Sequence, residues 1–159
     1  MNQSKLERWL KIIIIGAAVC TLIVYAFIIP SIGQDLVYGA PEFAGWYLPW
    51  LIFISITAIP VGIAFVLCWR IAGNIGRDRS FSAENAGYFK WISWLAALDT
   101  AYFFVGNLVM LLLNRSHPGV VLLSLLIVFA GIAVTIAAAV LSHMCARAAD
   151  LQEQSDLTI

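Results

Sequence analysis

Four uninterrupted apolar stretches, each about as long as a bilayer is thick, constrain this chain more than any other feature. They occupy residues 12–29, 47–69, 91–113 and 120–142. Roughly twenty residues at about 1.5 Å each cross the ~30 Å of bilayer hydrocarbon. Backbone groups in lipid must bond within their own segment, so each stretch is expected to be a helix. Composition agrees: 62% of the 159 residues are hydrophobic and 11% charged, whereas about a quarter of a soluble domain is charged. The expected fold is all-α, a single membrane domain over 1–159 built as a four-helix transmembrane bundle.

Four crossings put both termini on one side, and the basic residues say which. Lys5, Arg8 and Lys11 precede the first span, Arg70, Arg77, Arg79 and Lys90 lie between the second and third, and Arg147 follows the fourth. Against those eight, the other side has Arg115 alone. Basic residues concentrate on the cytoplasmic side of a membrane protein. Both termini, the loop 70–90 and the tail 143–159 are therefore expected in the cytoplasm. The six tryptophans fall at or near span ends, where an indole prefers to sit. The first apolar run exceeds the core of about 7–15 residues in a secretory signal, and Pro30 and Ser31 close it instead of a cleavage site. An uncleaved first span and a loop over 31–46 are expected.

Nine basic residues balance nine acidic ones with no basic tract, which argues against direct nucleic-acid binding. Cys20, Cys68 and Cys145 form no paired framework, and Cys68, His143 and Cys145 are too few and too poorly spaced for a metal site. No Walker loop, H-E-x-x-H, G-x-S-x-G or C-x-x-C occurs. Neither enzyme activity nor a cofactor or metal is expected.

The segment RDRSFSAENAGYFKW joins the second and third spans. Ser82 suits a helix N-cap, Glu84 the first turn and Phe81 the hydrophobic staple position before the cap. At the other end, SHMCARAADLQEQ is rich in helix formers, so the fourth helix is expected to continue beyond the membrane to about Gln154, before SDLTI. The F-S-x-E-N motif (Phe81, Ser82, Glu84, Asn85) and the Q-E-x-x-D-L-T-I ending (Gln152, Glu153, Asp156, Leu157, Thr158, Ile159) occur on a four-span frame. In these features the chain resembles the bacterial membrane family known as domain of unknown function 2975. The resemblance implies a multi-pass protein of the bacterial cytoplasmic membrane, often encoded beside a small helix-turn-helix regulator of the Cro/CI type. It supplies no catalytic residues. The charge-poor C-terminal arm and Asp99 depart from the family pattern.

Asp99 lies about eight residues, or about 12 Å, inside the third helix. An aspartate at a helix centre costs about 2.5–3.5 kcal/mol to insert, so something must offset it. Equal depth on the other spans gives Thr21, the turn at Pro60 with Thr57 slightly deeper, and Thr135. Three roles stay open for Asp99: hydrogen-bonded glue between helices, a protonatable or cation-binding site, and a contact with a partner subunit.

Two functions follow. One is a sensory or interaction protein that docks a cytoplasmic partner such as a helix-turn-helix regulator. Its docking candidates are Arg77, Arg79, Phe81, Glu84, Asn85, Asp156, Leu157 and Ile159. The alternative is a small transporter or channel subunit using Asp99; four spans are few for that task, so it requires a homo-oligomer.

Overall fold

The computed structural model describes residues 3–116 and 118–156. Its elements are α1 (Gln3–Ile23), a π-helical turn (Val24–Ile28), α2 (Ile29–Gly39), a 3-10 helix (Pro41–Trp46), α3 (Tyr47–Gly76), α4 (Ala83–Leu112) and α5 (Pro118–Asp156). The first three merge into one rod, so four long apolar rods are present, each able by length and composition to cross a membrane.

Where the sequence suggests a loop from Ser31, the chain instead stays helical to Gly39 and then tightens into the 3-10 turn. The reason is local. In the π turn the Ile29 N–H bonds to the Val24 carbonyl five residues back, and Pro30 follows in the first turn of α2. A first-turn proline needs no intrahelical donor, so it continues the rod rather than ending it. Pro60 sits inside α3 and likewise leaves it unbroken. Ser82 is extended and accepts a hydrogen bond from the Asn85 N–H, which starts α4 where the cap chemistry predicts. α5 runs unbroken past the membrane stretch to Asp156.

Each rod packs mainly on its neighbours in sequence. α1 lies on α3, α3 on α4, and α4 most extensively on α5. Glycines set the close approaches. Gly131 of α5 lies against the Thr100 hydroxyl, and Gly106 of α4 lies under the Phe53 ring, so a β-carbon at either would overlap its neighbour. Phe53 also packs at a tilt against Tyr102 and stacks on Phe103 of α4, at centroid distances of 5.0 and 6.1 Å. Two serines fix the α4–α5 register: Ser93 donates to the Thr135 carbonyl at 3.0 Å and Ser142 to the Ala86 carbonyl at 2.8 Å.

Little of the apolar surface is covered by protein. Ile71, Ile92 and Ala138 form a small core, while Leu122, Leu126 and Phe129 on α5 are 74, 69 and 74% exposed. A surface this apolar is stable only when lipid is the solvent. Glu7 of α1 rests on Gly76 at the end of α3, and the 77–82 segment shares a groove with residues 149–153. The start of α1, the α3–α4 connection and the end of α5 thus gather at one end of the molecule.

Candidate functional site

The α3–α4 connection is built around one side chain. Asn85, with 0% exposure, accepts from the Asn74 amide at 2.9 Å and donates to the carbonyls of Arg79 and Ser80 at 3.2 and 3.0 Å. The Arg77 and Arg79 N–H groups bond to the Asn74 carbonyl, at 3.1 and 3.0 Å, and Asp78 takes a left-handed conformation between them (φ 63°). With the Asp78 N–H bonded to the Ile75 carbonyl, three N–H groups and two carbonyls of the turn are thereby satisfied without strand or helix.

This network places the outward side chains. Arg77, Arg79 and Glu84 are exposed, and Phe81 is 60% exposed although it lies beyond the membrane stretch. Glu84 accepts from the Tyr88 hydroxyl at 2.7 Å. Asp78, Arg79, Phe81 and Ser82 form one wall of a groove of about 450 Å³, and Ala149, Gln152 and Glu153 of α5 form the other. Segments far apart in sequence, those carrying F-S-x-E-N and the start of the Q-E-x-x-D ending, thus share a single surface. Among the docking candidates, Asn85 needs correcting: it is spent on the turn's interior and presents no surface. Asp156 is the last described residue of α5; Leu157 and Ile159 lie outside the described residues.

The second place of interest lies inside the membrane stretch. Asp99 is half-buried in the wall between two cavities, of about 440 and 330 Å³. All four rods wall the larger one. Tyr25 comes from the π turn, Thr57 from α3, Asn107 from α4 and Ser124 from α5. Thr57 donates to the Ile54 carbonyl at 2.6 Å, so the Tyr25 hydroxyl is the donor in its own 2.6 Å bond to Thr57. Asn107 and Ser124 donate within their own helices, to the carbonyls of Phe103 and Val121 at 2.8 and 2.7 Å. Among the described residues none donates a hydrogen bond to the Asp99 carboxyl.

Of the four intramembrane candidates, the structure brings Thr57 and Asp99 to this cavity. Thr21 lines neither cavity. Thr135 donates to the Gly131 carbonyl at 2.9 Å, and its own carbonyl pairs with Ser93, about 9 Å along α4 from Asp99. At the Asp99 level α5 offers Gly131. Tyr25, Thr100, Asn107 and Ser124 are polar wall residues that a depth count misses; Tyr25 depends on the π turn, and Thr100 on the α4–α5 register. A π turn inside an α-helix often marks a functional position.

Comparison with known proteins places the chain more firmly than its geometry does. No solved structure matches it. The chain is similar to the uncharacterized membrane protein YoaS of Bacillus subtilis (strain 168), 26% identical over 155 residues that cover 95% of this chain and 96% of that one. Four membrane-length apolar rods and this similarity make it a multi-pass membrane protein. The model of the family described as "Protein of unknown function (DUF2975)" matches residues 31–159, and the chain belongs to that family.

Proposed function

We propose that this is a sensory or interaction protein of the bacterial cytoplasmic membrane, whose cytoplasmic face docks a small helix-turn-helix regulator. The carrying observation is the groove between the α3–α4 connection and the end of α5. It combines a solvent-facing phenylalanine with both charge signs, the usual make-up of a protein–protein anchor. The basic excess at that end supports its cytoplasmic placement, and the family resemblance supports the choice of partner. Co-purification of the full-length protein with the regulator encoded beside it tests the reading. Phe81→Asp and removal of residues 152–159 should each abolish capture, while Lys90→Ala, exposed and outside the groove, retains it. Capture that survives both changes removes the groove from consideration.

A second reading, a small oligomeric transporter or channel subunit, is favoured by a different observation: the Asp99 carboxyl sits between two cavities with no hydrogen-bond donor among the described residues. Reconstituted vesicles carrying wild type or Asp99→Asn separate the readings by ion flux. A docking protein leaves the vesicles tight in both cases.

A further inference from the structure

We propose that the cavity walled by all four rods is a binding site for a lipophilic organic cation, with the Asp99 carboxylate as its counter-charge. The inference does not depend on regulator docking. It deepens the second reading by naming a ligand class, and it concerns binding, which is measurable apart from flux.

The chemistry of the walls selects the ligand. The larger cavity, about 440 Å³, falls in the size range of small-molecule sites, and the smaller one adds about 330 Å³ beyond a shared wall. That wall contains Val61, Asp99, Thr100, Gly131 and Val134. Asp99 is the one charged residue lining either cavity among the described residues. An ionised carboxylate among hydrocarbon gains most from a positive charge brought beside it, because the surroundings screen poorly.

An inorganic ion does not suit the site. A hard cation needs about six oxygen ligands converging on one point, whereas the Asn107 and Ser124 side chains lie about 12 Å along α4 from Asp99 and about 10 Å along α5 from Gly131. No group of three or more His, Cys, Asp or Glu residues converges among the described residues. An organic cation needs one counter-charge and carbon or aromatic surface elsewhere. Tyr25, Trp50 and Phe103 line the larger cavity and Phe65 the smaller, and aromatic faces attract cations. A neutral lipid chain would fit the carbon walls but make no use of Asp99, and an anionic amphiphile would be repelled.

The packing order also gives such a ligand a way in. The first rod packs on α3 and α5 packs on α4, while the first rod and α5 make at most slight contact with each other. The cavity occupies the gap between them, and that seam faces the lipid in which a lipophilic cation concentrates.

The full-length protein in detergent micelles, titrated with tetraphenylphosphonium by equilibrium dialysis, tests the proposal. Saturable binding is expected, weakened about tenfold or more by Asp99→Asn and largely kept by Asp99→Glu. Neutral triphenylphosphine oxide and anionic tetraphenylborate should show only the linear uptake of empty micelles. Val134→Phe, which fills the shared wall while leaving the carboxylate, should also abolish saturation and provides a route independent of how well Asp99→Asn folds. Equal saturable uptake of the neutral compound, or cation binding unchanged in Asp99→Asn or in Val134→Phe, would overturn the proposal and leave the cavity to a lipid chain.

Discussion

The Asn85 carboxamide accepts once and donates twice in a space closed to water. No other side chain of that size reproduces the pattern. Aspartate lacks the two donors, leucine lacks all three bonds, and alanine leaves the Asn74 amide and two carbonyls facing a void. An unsatisfied buried polar group costs about 1–3 kcal/mol, so Asn85→Ala should lower stability by at least about that much. A fall in the thermal midpoint of the detergent-solubilised protein would show it. Glu84→Ala, one residue away and exposed, should stay within about 0.5 kcal/mol of wild type. Ser82 was legible as a cap because capping is local chemistry confined to four residues. Asn85 was not legible as an interior hub, because its partner Asn74 lies on another helix and an isolated Asn near a turn reads as surface. Asp99 stood out in sequence for the opposite reason: a carboxylate in an apolar run has no local explanation. Tyr25 did not, since tyrosine is unremarkable in a membrane helix until the π turn aims it at Thr57.

At the scale of elements, the boundaries the sequence suggests are best where a helix begins with a cap and weakest where proline is involved. Pro30 looks like a stop, yet beside a π turn it opens the next helical segment, and the rod runs on to Gly39. The α4–α5 pair depends on Gly131 lying under Thr100. Gly131→Ala should therefore lower the thermal midpoint, and adding Thr100→Ala should recover part of the loss. The two changes are expected to be non-additive, as for any pair in direct contact. Additive losses would mean that α4 and α5 gain their cohesion elsewhere, for example from the Ser93 and Ser142 bonds.

For the whole molecule, four crossings and a shared end for the termini follow from hydropathy alone, because burial in lipid leaves the backbone so few options. Sequence did not show that the rods leave a gap between the first and the last, since helix order in space is a property of tertiary packing. The basic asymmetry leads us to expect alkaline phosphatase fused after Ile159 to stay inactive and a fluorescent protein there to light up. The reverse result would invert the expected sides and put the groove out of reach of any cytoplasmic regulator. α5 itself carries a mechanical consequence. It has no break between Gly131, beside the Asp99 cavity, and Gln152 in the groove, a span of about 32 Å. A stiff axle of that length transmits twist. One alanine inserted after Arg147 turns everything beyond it by about 100°, while four bring it back to within about 40° of its original bearing. If ligand occupancy is reported through that axle, the single insertion should silence partner capture and the fourfold insertion should restore it.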